Sequence, residues 1–177
     1  GMPAKMPIFL RDIFFRAAEE LSRKYKHCKF LVVGGDQTRA FVSQLSCDSK
    51  LGEALLVIDP VEDFPRLLNG VDVLVSASRR EGFGYAVIEA MASEKLILCS
   101  DIEPVRQTYG RSKGVYLYPS ENWTMLAELM EKTVRLPSDE RQSLGLANRQ
   151  HVMENYSLDL WSEKIGQLYK GIIARHK

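Results

Sequence analysis

One stretch constrains this chain more than any other. Residues 71–101 read VDVLVSASRREGFGYAVIEAMASEKLILCSD. Residues 71–75 are short, apolar and β-branched, the pattern of a strand buried on both faces. Residues 76–80 are small and polar, a loop leaving that strand. Gly82 and Gly84 bracket Phe83 and free the backbone for left-handed or tight conformations. YAVIEAMA, residues 85–92, has the composition of a helix, and a second apolar strand follows at 96–99. The unit is strand, glycine loop, helix, strand.

A glycine loop feeding a helix N-terminus is suited to a phosphate. The first-turn N–H groups, those of Gly84, Tyr85 and Ala86, have no partner within the helix. The helix dipole adds about half a positive charge at that end. Glu89 follows one turn on. Its neighbours Ala86, Val87, Ile88, Ala90 and Met91 leave little room for a solvent face. A carboxylate buried there needs donors, and two sugar hydroxyls would serve. Pairing with a nearby Arg or Lys, or a thin exposed edge, is the simpler alternative.

Glu81 and Glu89 are separated by seven residues, with Gly82-Phe83-Gly84 between them and Glu89-Ala90-Met91-Ala92 closing the motif. This resembles the E-x7-E signature, EGFG…EAMA, of the family-4 retaining glycosyltransferases, built from two Rossmann-like domains (the GT-B architecture). Asp72 and Ser78 also match the family's strand and loop. The resemblance implies an α/β fold: a Rossmann-like parallel sheet with helices on both faces, the C-terminal half of a GT-B enzyme. It implies a nucleotide-diphosphate sugar as co-substrate and no cofactor or metal. Family members are usually about twice as long, because a separate N-terminal domain holds the acceptor. Residues 2–177 are thus expected to be the donor-binding half, with its own N-terminal domain as partner. Gly1 before Met2 resembles the remnant of a cleaved tag.

Composition agrees with a globular domain. The 177 residues are 45% apolar and 27% charged, enough for a sizeable core. A formal net charge of +1 gives no argument for nucleic acid or an anionic membrane surface as partner. Cys28, Cys47 and Cys99 lack CxxC spacing and are expected to be reduced thiols in a cytoplasmic protein. His27, His151 and His176 are scattered and imply no metal. No signal peptide and no bilayer-length apolar run is present. Peripheral membrane association is common among the family's relatives, usually through the other domain.

Taken in order, residues 11–26 form an amphipathic helix with Ile13, Phe14, Ala17, Ala18 and Leu21 on its apolar stripe. In the family this helix follows an Arg and a Lys that grip the donor diphosphate; only Lys5 and Arg11 stand near that place. Residues 29–33 are a buried strand ending in Gly34-Gly35-Asp36. GGDQTR lacks the third glycine of a dinucleotide fingerprint, but the family resemblance makes Gly35 a site where backbone approaches the donor. A helix is expected over 37–46 and a strand in ALLVI, residues 54–58. The loop Asp59-Pro60-Val61-Glu62-Asp63 matches the family loop lining the nucleotide base, with Val61 and Asp63 on its Val-x-Asp pattern and Asp59 in place of a glycine. A short helix over 64–69 ends at Gly70.

Residues 101–109 carry the turn that the family writes as Gly-Gly then Pro-Glu. Here the glycine pair is missing and Gln107 takes the Glu position. Residues 115–117 are a last strand and the rest is helical, with helix starts at Ser138 and at Ser157. The aromatics Tyr156, Trp161 and Tyr169 form a stripe on the final helix, expected to be mostly core with part exposed where the partner domain would pack. The βαβα order argues one parallel sheet covered on both faces, with ligands beyond its carboxyl ends.

Carried over by position, the resemblance gives Glu89 the ribose hydroxyls and Glu81, the catalytic position, the transferred sugar. Gly82, Phe83, Gly84, Tyr85 and Ala86 would bind sugar and diphosphate through their backbone. The reaction is hexosyl transfer with retention, stabilised at the departing diphosphate. The isolated half is expected to transfer nothing. Two rivals are a sugar-nucleotide epimerase half and a non-catalytic nucleotide-binding domain.

Overall fold

The computed structural model describes residues 9–36, 38–40, 42 and 50–175. Lys5, Cys47, His176 and most of the helix expected over 37–46 lie outside them. The elements in order are α1 (Phe9–Lys24), β1 (Phe30–Val33), a 3-10 turn (Gly52–Ala54), β2 (Leu55–Ile58), α2 (Phe64–Leu68), β3 (Val73–Ser76), α3 (Tyr85–Ala92), β4 (Leu96–Ser100), α4 (Glu103–Thr108), β5 (Val115–Tyr118), α5 (Trp123–Arg135), α6 (Ser138–Tyr156) and α7 (Leu158–Arg175). Asp63 caps α2 by accepting from the Arg66 N–H at 3.0 Å, and Asn122 caps α5 through the Met125 N–H at 3.0 Å.

All strand pairs are parallel, but not in one sheet. β1 and β2 form one sheet, and β3-β4-β5 form another. The single sheet expected from the element order is thus interrupted between β1 and β3. Apolar cover is nevertheless continuous. Phe30 of β1, Leu98 of β4 and Tyr118 of β5 are buried under α1 and α5, in one cluster with Ala17, Ala18, Leu126 and Met130. The other face, with Ile97, Cys99 and Val115, is covered by α3, α4 and α6 through Val87, Met91, Val105 and Val152. Every residue of β4 is buried, as a parallel strand covered on both sides requires.

Where α6 crosses the end of α3, the approach is close. A Cβ on Gly145 would lie 2.2 Å from the Glu94 carbonyl oxygen, and Glu94 itself is left-handed, at φ 63°. The fully buried Asn148 donates to the Lys95 carbonyl at 2.7 Å and accepts from the Ser112 hydroxyl at 2.6 Å. One amide of α6 thereby ties together the loops before β4 and before β5.

Two expectations are corrected. Residues 103–108 are helix α4 rather than a turn: Pro104 stands in its first turn, where the missing N–H costs nothing. Of the expected aromatic stripe, Tyr156 ends α6 and packs against the core, but the part on α7 is not core. No α7 residue is buried, and Trp161 and Tyr169 are 60% and 63% exposed. Periodicity marks a face that burial would stabilise; it does not supply the cover.

Candidate functional site

The loop after β3 and the start of α3 form one exposed shelf at the carboxyl end of the parallel strands. Gly84 is the N-cap of α3 and takes φ 73°, ψ 55°, a left-handed conformation suited to glycine. Its carbonyl accepts the Val87 and Ile88 N–H groups, at 2.9 and 3.1 Å. The N–H groups of Tyr85 and Ala86 have no bond to another described residue, so the first turn is open to an anion. Gly82, Phe83, Tyr85 and Ala86 are exposed, Glu81 is half-buried and Gly84 is buried.

Glu89 is exposed, which corrects the expectation of a carboxylate needing donors to offset burial. Tyr85, Ala86 and Glu89 share one face of α3 by their spacing, while Val87, Ala90 and Met91 turn inward. The inward positions carry the packing, and the Glu89 carboxylate is left on the open shelf.

Beneath the shelf lies a layer of buried polar groups. The Tyr109 ring is buried and its hydroxyl oxygen sits under Gly84, 2.6 Å from where a Cβ would be; Glu81 Cγ lies 3.4 Å from the same point. Among the described residues that hydroxyl has no hydrogen-bond partner. Burial, then Cys99 and Glu81, raise the Tyr109 phenol above its ordinary range. Burial, then the Glu81 carboxylate, push the Cys99 thiol up to about 12. The Tyr118 hydroxyl donates to the Ser76 carbonyl at 3.3 Å. Sequence reasoning missed Tyr109, because nothing local links it to a loop some 25 residues earlier.

The other predicted residues are placed around this shelf by topology. Gly35 follows β1 and Val61 follows β2, so both stand at the carboxyl ends of strands. Val61 is 39% exposed. The tight glycine after β1 is Gly34, whose Cβ would lie 2.2 Å from Thr38 Oγ1, whereas a Cβ on Gly35 would meet nothing within 4 Å. Arg39 bridges to Asp59 through Nε at 3.0 Å and a terminal nitrogen at 2.6 Å, joining the helical segment after β1 to the loop after β2. Arg79 pairs with Glu121, joining the loops after β3 and β5. Arg11 lies in the first turn of α1, and Lys5 is outside the described residues. Asp101 pairs with Arg106, and the Gln107 amide donates to Glu103 at 3.0 Å. Among the described residues no group of three His, Cys, Asp or Glu side chains is placed to hold a metal ion. No described helix is long and apolar enough to cross a membrane.

Parallel strands flanked by helices, with open loops at their carboxyl ends, define a Rossmann-like α/β domain. Residues 12–151 match the family described as glycosyl transferases group 1, and the chain belongs to that family. It is 23% identical over 175 residues to the lipopolysaccharide core biosynthesis mannosyltransferase LpcC of Rhizobium leguminosarum bv. viciae, across 94% of this chain and 48% of that protein. Its fold is similar to that of Staphylococcus aureus TarM in complex with fondaparinux, alpha-GlcNAc-glycerol and UDP, with a TM-score of 0.82 at 23% identity over 93% of this chain and 34% of that one. It is also similar to the C-terminal domain of the group 1 glycosyl transferase LpcC of Francisella tularensis, with a TM-score of 0.71 at 22% identity over 84% of this chain and 80% of that one. The chain spans about half the length of the curated Rhizobium relative.

Proposed function

We propose that this chain is the donor-binding half of a glycosyltransferase that moves a hexose from a nucleotide-diphosphate sugar to an acceptor with retention. The observation that carries the reading is the open first turn of α3, with the exposed Glu89 on the same face. The N–H groups at Phe83 to Ala86 receive the diphosphate, where the helix end contributes about half a positive charge. Glu89 accepts from two ribose hydroxyls. Glu81, held over Tyr109, accepts from hydroxyls of the transferred sugar and orients its anomeric carbon. As the bond to the diphosphate breaks, negative charge develops on the leaving oxygen, and donors already aimed there stabilise it without rearrangement. Family membership and a TarM structure that contains UDP support the nucleotide as ligand.

The acceptor and the remaining reacting groups belong to the N-terminal domain of the full-length enzyme, so this half alone transfers nothing. Calorimetric titration with UDP, GDP and their sugar conjugates tests the reading. Saturable binding of one nucleotide supports it; no binding to any of them, by this chain and by the full-length protein, sinks it.

A further inference from the structure

Tyr109 carries a buried hydroxyl whose proton no described residue takes up. The residue is 1% exposed and belongs to the core cluster of Val87, Ile97, Cys99 and Val105. Among the described residues its hydroxyl has no hydrogen-bond partner. An unmade hydrogen bond at a buried group is a standing cost, and such groups persist where function uses them. The hydroxyl faces the underside of the shelf, 2.6 Å from the place of a Gly84 Cβ, and Glu81 Cγ lies 3.4 Å from that same place. The phenol oxygen and Glu81 Cγ are therefore at most about 6 Å apart. A carboxyl oxygen stands about 2.4 Å beyond Cγ, so turning the end of the Glu81 side chain brings the two within hydrogen-bonding range.

The phenol is held in place, and the carboxylate must come to it. The Tyr109 N–H donates to the Val105 carbonyl at 3.1 Å. The Thr108 carbonyl, just before it, accepts from the Tyr156 hydroxyl at 2.6 Å and from His151 Nε2 at 3.1 Å. Tyr156 also packs edge-on against Phe83, with ring centroids 5.4 Å apart. The end of α6 thus sets both the glycine loop and the residue beneath it. Arg79, the cation two residues before Glu81, is engaged with Glu121. We infer that Tyr109 is a positioning residue for Glu81: as a nucleotide-bound sugar covers the shelf, the phenol donates to one oxygen of the Glu81 carboxylate and leaves the other to the sugar hydroxyls. This role rests on the nucleotide-sugar reading above, and Tyr109 acts through Glu81 without touching the substrate.

A sugar lying over the shelf displaces water from the carboxylate, and a dry carboxylate needs donors. Its two oxygens accept on both sides at once. A neutral donor suits this place. A lysine or arginine would cancel the charge of Glu81, whereas a phenol fixes the carboxylate and leaves its charge to face the sugar. Burial raises the phenol above its ordinary range, so it keeps its proton through neutral pH and does not become a second anion beside Glu81.

Calorimetry on the full-length protein tests the role, with UDP, GDP, UDP-glucose, UDP-N-acetylglucosamine and GDP-mannose as probes. Tyr109→Phe keeps the ring and removes one oxygen. It should leave the affinity for the best-bound nucleoside diphosphate within about twofold, and weaken the best-bound sugar conjugate by about tenfold or more. Glu81→Ala should weaken that conjugate at least as much, and adding Tyr109→Phe to it should change nothing further. A role in packing alone would weaken diphosphate and conjugate alike, in both backgrounds, and that result overturns the inference. An unchanged affinity for the conjugate in Tyr109→Phe, with binding otherwise intact, removes the role and leaves the nucleotide-sugar reading standing. Absence of binding to all of the probes by the unsubstituted protein defeats that reading and this role with it.

Discussion

The hydroxyl oxygen of Tyr109 lies directly under the backbone of Gly84, 2.6 Å from the position of a Cβ. A residue on the loop after α4 thus sets the height of the glycine loop, and with it the aim of the first-turn N–H groups of α3. Gly84→Ala meets two obstacles, the left-handed φ of 73° and the phenol. The expected loss is about 1–2 kcal/mol from the backbone alone, with more from the contact. That is a fall in Tm of about 2–4 °C for each kcal/mol in a domain of this size. Adding Tyr109→Phe should return part of the loss, because it removes the contact and leaves the φ. By itself Tyr109→Phe should leave Tm unchanged or higher, since it deletes a buried hydroxyl without a described partner. A lower Tm would show that the hydroxyl is satisfied.

Glu89→Ala should cost less than about 0.5 kcal/mol of stability, because the side chain is exposed. Nucleotide binding measured by calorimetry should be lost in the same variant. Unchanged affinity would remove Glu89 from the site, and a large drop in Tm would return it to the packing.

Asn148→Ala should destabilise by about 3 kcal/mol. It breaks two hydrogen bonds, to the Lys95 carbonyl and from the Ser112 hydroxyl, and leaves both groups buried or nearly so. Denaturant unfolding monitored by circular dichroism reads this directly. An effect below 1 kcal/mol would mean that water replaces the amide.

Gly145→Ala should cost about 1–3 kcal/mol by overpacking, since its Cβ would lie 2.2 Å from the Glu94 carbonyl oxygen. An exposed α6 position facing no other element offers the control. Loss at Gly145 with none at the control separates the clash from helix propensity, which by itself favours alanine.

Cys99 should resist alkylation in the folded chain at pH 8. Its thiol is buried and pushed up to about 12, so almost none is thiolate. Cys28, half-buried, should react before Cys99. Mass spectrometry of tryptic peptides after timed exposure to iodoacetamide distinguishes them. Labelling of Cys99 as fast as Cys28 would contradict its placement under the glycine loop.

Much of the fold was legible along the chain. The helix over residues 85–92 coincides with α3, because a glycine at its start and the good helix formers Ala86, Glu89, Ala90, Met91 and Ala92 are local signals. The strands were placed to within a residue or two, since short β-branched runs between turn residues have few alternatives. Glu89 was misjudged for a physical reason. Its neighbours in sequence are apolar, but at 3.6 residues per turn some of them point the other way, and Tyr85 and Ala86 share its open face. The α7 stripe failed in the converse sense, because apolar spacing specifies a face and not what covers it.

The motif and its chemistry, glycines flanked by two carboxylates and feeding a helix, reside in contiguous residues and follow from local backbone preferences. Three features arose only when distant segments met. These are Tyr109 under Gly84, Asn148 bridging two loops, and the break in the sheet between β1 and β3. Each depends on which strand lies beside which, and that is settled by long-range burial and crossover handedness rather than by any residue's own preference.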